Sequence, residues 1–182
     1  MNVTPTALPG VLLLEPKLFA DERGYFMESF NQRAFDAAVG EPVAFVQDNH
    51  SRSDRGVLRG LHYQLPPHAQ GKLVRVVRGS AFDVAVDLRR ASPTFGQWVG
   101  VTLNAVTHQQ LWIPPGFAHG FLALEDDTHF LYKTTDFYAR DCERAIVWND
   151  ATLSIAWPDA GSAPRLAEKD AAAPSFAQAD TF

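Results

Sequence analysis

The amino-acid sequence predicts an all-β fold, a sandwich or barrel, and three observations carry that prediction. Between residues 43 and 148 the chain reads as short β-rich runs broken by turn residues; many short strands at close spacing are the pattern of sheets packed on, or closed around, one another. Only one segment has the start and stop signals of a helix. That helix is too short to form the crossover of a parallel sheet, so a doubly wound α/β architecture is not expected.

The expected strands are 43–49, 57–64, 72–78, 81–88, 97–103, 109–113, 117–124 and 129–135. The helix is Gln32–Val39, with Asn31 placed to cap its first turn and Gly40 to end it. Alternation is clearest in Phe82-Asp83-Val84-Ala85-Val86-Asp87-Leu88, where the apolar even positions share one face and Asp83 and Asp87 share the other with Ala85. Those two acids either line a polar cavity or meet water. The tail, 159–182, is rich in Ala, Asp and Pro without strand alternation, and is expected to be irregular or weakly helical with a mobile end.

At 182 residues, a single domain is expected to bury roughly 70% of its unfolded surface without a disulfide or metal staple. The lone cysteine, Cys142, cannot pair within the chain, which points to a reducing compartment. Residues Met1 to Thr6 show no basic stretch leading into an apolar run, and no apolar segment has bilayer length; a soluble, cytoplasmic protein with no membrane partner is expected. The net charge of -5 argues against nucleic acid as a partner. Residues 52–90 nevertheless hold eight Lys/Arg against three Asp/Glu, a local +5. Such a segment in an acidic chain suits a small anionic ligand, or else consists of solvent-facing strand positions.

The densest chemistry lies in Arg59-Gly60-Leu61-His62-Tyr63-Gln64 and Pro114-Pro115-Gly116-Phe117-Ala118-His119-Gly120-Phe121. Together these resemble the two motifs of the cupin barrels, whose histidines point into one cavity. The first motif departs from the metal-binding pattern: Tyr63 and Gln64 follow His62, and Lys72 lies downstream. An ammonium opposes a cation, so no metal is expected, and His62 is left available as a proton acceptor near neutral pH. Strict alternation sends Arg59 and His62 to opposite faces, but Gly60 between them is a natural bulge position that brings both to the same side. Lys72 shares a strand face with Val74 and Val76, which either places its ammonium beside the barrel interior, where it can stabilise a developing enolate, or lets it snorkel to the barrel mouth. Phe130 and Tyr132 share a face; a strand tyrosine taken alone is more often a core or rim residue than a catalyst, but a buried Tyr132 hydroxyl can return a proton opposite the base. Gln47 and Asn49 carry amides able to read a nucleobase edge, and Arg23 can clamp a phosphate. His50, His68, His108 and His129 read as surface. No G-x-G-x-x-G loop appears.

These residues resemble the dTDP-4-dehydrorhamnose 3,5-epimerase family over residues 11–170. The likeness rests on Asp21-Glu22-Arg23-Gly24, Val46-Gln47-Asp48-Asn49-His50-Ser51, Gly56 through Gln64, Gln70-Gly71-Lys72-Leu73-Val74-Arg75 and Gly116 through Phe121, in that order. The resemblance implies a cupin-like double-stranded β-helix and a cofactor-free isomerase of dTDP-L-rhamnose biosynthesis. It also implies a homodimer whose N-terminal segment, about 1–42, reaches the neighbour's site. The substrate implied is dTDP-4-dehydro-6-deoxy-D-glucose, with His62 as base, Asp170 orienting it, Tyr132 as proton donor and Lys72 on the C4 oxygen. The implied binding set is Arg23, Phe26, Glu28, Gln47, Asn49, Arg59, His119, Tyr138, Glu143 and Lys169, with Tyr138 and Phe26 packing near the thymine. Phe137 stands where a tyrosine is frequent among relatives. Competing readings are a single-centre epimerase, a silent sugar-nucleotide-binding cupin and a metal-dependent cupin oxygenase. Retention of His62, Lys72, Tyr132 and Asp170 opposes the second, and Gln64 with Lys72 opposes the third.

Overall fold

The computed structural model describes residues 1–182. The N-terminal part contains β1 (Asn2–Pro5), β2 (Leu12–Glu15), β3 (Leu18–Asp21), β4 (Gly24–Met27) and α1 (Gln32–Val39). The strands β5 (Gln47–Ser53), β6 (Leu58–Gln64), β7 (Lys72–Arg78), β8 (Ser80–Asp87), β9 (Trp98–Asn104), β10 (Gln110–Ile113), β11 (Phe117–Ala123), β12 (Thr128–Thr134) and β13 (Glu143–Ala145) follow, then α2 (Glu168–Ala171). All strand pairings are antiparallel. One sheet runs β1-β2-β10-β7-β12-β5 and the other β13-β6-β11-β8-β9, with β3 and β4 forming a separate hairpin. This is the cupin-like jelly roll that the two motifs imply.

The two sheets pack through an apolar core. Val74, Val76, Leu111 and Phe130 from one meet Ala81, Ala85, Leu103, Phe117 and Phe121 from the other, and Phe121 stacks on Phe130 with ring centroids 4.0 Å apart. The chain changes sheet between β7 and β8 at Gly79, where φ is +74° and a Cβ would lie 2.5 Å from Thr128 Oγ1; only glycine turns that corner without strain. β8 is buried on both faces. Val84 and Val86 pack outward under the C-terminal segment with Leu153, and Asp83 and Asp87 point inward with no exposure. Asp87 accepts from the Arg89 guanidinium and from the hydroxyls of Ser92 and Thr94. Burial opposes its ionisation, but these donors outweigh it and hold the carboxyl well below the usual range.

Helix α1 begins and ends as its sequence predicts. The Asn31 side chain accepts from Ala34 N, and Gly40 closes the helix in the left-handed conformation. Phe35 is its buried anchor, 5.2 Å edge-on to Trp112. The expected strand at 43–49 is displaced: β5 starts at Gln47 and runs to Ser53. Val43 and Phe45 pack against the cluster around Phe35 and Trp112 instead, and that side-on aromatic contact takes them out of the ladder. The tail is irregular apart from α2 and a turn of 3-10 helix at Phe176–Gln178. Its end is not loose as expected. The Tyr63 hydroxyl donates to the Asp180 carbonyl, Phe182 N to Leu88 O and Arg90 N to Phe182 O, and Arg144 pairs with Asp180 at 2.9 Å. No helix is long and apolar enough to cross a membrane.

Candidate active site

The interior is apolar towards one end of the jelly roll and polar towards the other, where a cavity of about 150 Å³ opens. Its lining includes His62 and Gln64 from β6, Lys72 from β7, Tyr132 and Thr134 from β12, Gln47 and Asn49 from β5, and Tyr138 and Glu143. A depression of about 160 Å³ on the opposite side of the six-stranded sheet is lined by His50, Arg75 and Lys133. It holds no imidazole–carboxylate pair aimed at a buried space, so chemistry places the site in the first cavity.

β6 owes its shape to Gly60. Between the pairs His119↔His62 and Phe121↔Arg59, β6 holds one more residue than β11, which is a bulge. Gly60 has φ +126°, and a Cβ there would lie 2.6 Å from Gly120 Cα. The bulge does two things. It turns Arg59 to the side His62 occupies, so that the guanidinium donates to Ser53 Oγ of the facing sheet at 3.1 Å. It also frees the Gly60 N–H from the ladder to donate to Asp170 Oδ2 at 3.3 Å.

Asp170 comes from α2, in the tail, and is 2% exposed. Its Oδ1 lies 2.6 Å from His62 Nε2. Burial opposes ionisation of Asp170, but the His62 ring and the Gly60 N–H overcome it and hold the carboxyl below its ordinary range. A charged acceptor fixed on one ring nitrogen leaves the other as the basic atom. The cross-strand partner His119 forms a second, deeper pair, its Nε2 lying 2.8 Å from Asp83 Oδ2. Burial pushes His119 down, with Asp83 opposing. Lys72 is almost fully buried, and its ammonium donates only to the His62 carbonyl, at 3.4 Å. Burial lowers its pKa to about 8, against the pull of Asp83 and Glu143. Burial raises the Tyr132 phenol, with Arg59 and Lys169 opposing, so the hydroxyl keeps its proton.

At the mouth, Glu143 accepts from the Tyr138 hydroxyl at 2.9 Å and from Lys169 Nζ at 3.0 Å. Burial opposes its charge, and these two donors reverse the effect and hold the carboxyl low. Gln47 donates to Asn49 Oδ1 and accepts from Tyr138 N. No group of three His, Cys, Asp or Glu is arranged to hold a metal ion.

A sequence model of the dTDP-4-dehydrorhamnose 3,5-epimerase family matches residues 5–178. The chain belongs to this family. It is 62% identical to the dTDP-4-dehydrorhamnose 3,5-epimerase of Pseudomonas aeruginosa and 59% identical to that of Shigella flexneri, each across all of this chain and 99% of the relative. It superposes on the crystal structure of a Legionella pneumophila dTDP-6-deoxy-D-glucose-3,5-epimerase in complex with dTDP-4-keto-L-rhamnose with TM-score 0.94. That pair is 49% identical, covering 98% of this chain and 94% of the other. As a member of the 3,5-epimerase family the chain is an isomerase.

Of the residues singled out in the sequence, the epimerase fold lines one cavity with His62, Lys72, Tyr132, Gln47, Asn49, Tyr138 and Glu143; behind them Asp170 bonds to His62, Lys169 to Glu143, His119 pairs across the strands with His62, and the charge of Arg59 acts on Tyr132. Three stand elsewhere. Arg23 is at the tip of the β3–β4 hairpin, where it pairs with Asp21; Phe26 is 66% exposed on β4; Glu28 accepts from the Asn31 side chain next to α1. Tyr25 of the same hairpin rests on His108, outside the barrel. Within one chain these three do not line the cavity, because β3 and β4 pair only with each other. Phe137 is exposed, and only its backbone acts locally, its carbonyl accepting from Gln64 and its N–H donating to Asp136 Oδ1. Sequence reasoning gave no role to Asp83 as the partner of His119, although its place on the inward face of β8 was visible in the alternation.

Proposed function

We propose that this chain inverts C3 and C5 of dTDP-4-dehydro-6-deoxy-D-glucose, giving dTDP-4-dehydro-L-rhamnose, in the cytoplasm. One observation carries the division of roles: His62 and Tyr132 enter the cavity from opposite sheets, with the Lys72 ammonium buried beside them. The protons at C3 and C5 are both α to the C4 ketone. His62, oriented by Asp170, takes either proton; the electron pair moves to the C4 oxygen, which Lys72 stabilises as an enolate. Tyr132 returns a proton from the other side and inverts the centre. Proton removal and return balance, and repeating the step after the ring shifts inverts the second carbon. Glu143, Lys169, Tyr138, His119, Arg59, Gln47 and Asn49 hold the sugar and its nucleotide.

Arg23, Phe26 and Glu28 are assigned to the site of a second copy, in a homodimer. The hairpin supports this reading: Leu18, Phe19, Tyr25 and Phe26 are all exposed on it, an apolar surface that is costly to leave in water. The function is tested by incubating the protein with dTDP-4-dehydro-6-deoxy-D-glucose and resolving the sugar by proton NMR. Couplings of the L-rhamno configuration are expected; a product inverted at one carbon only contradicts the assignment.

A further inference from the structure

Asp83 is a buried acid for which the mechanism above has no use. It has no exposure, and only one of its oxygens is satisfied. Oδ2 meets His119, and Oδ1 is buried without a hydrogen-bond partner. Nearly all buried carboxylate oxygens are paired, so an orphan beneath a catalytic cavity needs a reason. A buried cation on which this charge acts is Lys72, whose ammonium is likewise under-satisfied, with one long bond to a carbonyl. The titratable groups around Lys72 are His62 from β6, Asp83 from β8, His119 from β11, Tyr132 from β12 and Glu143 from β13. Of the two carboxylates acting on the ammonium, Asp83 acts more strongly than Glu143.

We propose that Asp83 is a positioning residue for the epimerisation: its charge keeps the buried Lys72 protonated, and its Oδ2 fixes His119 with the proton on Nε2. The inference rests on the assignment of Lys72 to the C4 oxygen. A fixed anion behind a buried cation compensates the loss of solvation that burial imposes. It also prevents a substrate ketone from meeting a neutral amine, which stabilises an enolate poorly. Holding the His119 proton on Nε2 presents its Nδ1 as a hydrogen-bond acceptor and keeps that ring from competing as a donor with Lys72.

The test is the pH profile of Asp83→Asn, which keeps the shape and removes the charge, read beside the wild-type protein. In the wild type kcat/KM falls on the alkaline side near pH 8, where Lys72 loses its proton. In Asp83→Asn that limb moves to lower pH by about half a pH unit or more, so the loss relative to wild type is about twofold or more greater at pH 8 than at pH 6. Binding of dTDP stays within about twofold, because the amide oxygen of the introduced Asn still accepts from His119 Nε2 and keeps that ring in place. Superposable profiles overturn the proposal and leave the assignment of His62 intact, since wild-type turnover is measured in the same series. If Asp83→Asn does not fold, the proposal stands or falls on nitrogen-15 NMR of the wild-type histidines. A His119 ring protonated on Nε2 alone from pH 6 to 8 is expected; a neutral ring protonated on Nδ1 overturns it.

Discussion

A carboxylate buried beside an imidazole changes what the imidazole can do. Asp170, 2.6 Å from His62 and almost without exposure, holds one ring nitrogen and stabilises the cation that forms when the other takes a proton. Asp170→Asn is expected to keep the geometry and lower kcat by about 10²-fold or more, with KM little changed; steady-state kinetics on the purified variant decide this. Lys72 works in the opposite sense, because burial has already brought its pKa to about 8. The protonated form is the active one, so Lys72 sets the alkaline limb, and activity is lost as pH rises through that value. Lys72→Met removes the titration: a residual activity flat from pH 7 to 9 is expected, and a surviving alkaline limb assigns it to another group. At this scale the sequence was informative where residue types were rare for their place, as with a lysine among valines on one strand face. It was silent on pairing, because the partner of His119 lies 36 residues away on another strand.

The element that matters most is β6, and its function depends on a defect. Regular alternation would place Arg59 outside; one extra residue at Gly60 turns it inward and offers a free N–H to Asp170. Gly60→Ala is expected to destabilise the protein by about 2 kcal/mol or more, because the new Cβ meets the Gly120 backbone and φ is positive. Urea unfolding followed by tryptophan fluorescence measures the cost, and a loss of activity beyond the loss of folded protein reports the displaced Asp170. This element was legible in advance because glycine in a strand is itself a signal. Helix α1 was legible for the same reason, its ends being written in Asn31 and Gly40. The strands β1 to β4 were not. They are four residues each, with prolines at positions 5, 9 and 16 among them, and so short a run carries too little alternation to be told from a loop. Residues 43–46 misled because Val43 and Phe45 satisfy strand alternation while packing on Trp112.

At the scale of the whole molecule the site is assembled from distant parts of the chain. The jelly roll supplies His62, Lys72 and Tyr132, and the tail supplies Asp170 and Lys169. No local pattern announces a tail residue as catalytic, so Asp170 was accessible to sequence reasoning through family position alone. Arg23 and Phe26 show a different limit: their proposed place depends on a surface that belongs to another copy. That proposal predicts complementation. When Arg23→Ala and His62→Ala chains are unfolded together and refolded, half the dimers are mixed, and each mixed dimer has one site with both residues intact. Recovery of about a quarter of wild-type activity is expected; none is expected if Arg23 serves its own chain.

One imidazole, that of His62, is proposed to remove both protons α to the ketone. That role is tested most directly by running the reaction in heavy water and following C3 and C5 of the nucleotide sugar by NMR. Deuterium at both carbons in the wild type, and at neither in His62→Ala, is the predicted result. Exchange persisting at either carbon in His62→Ala contradicts the account and assigns that proton to a different base.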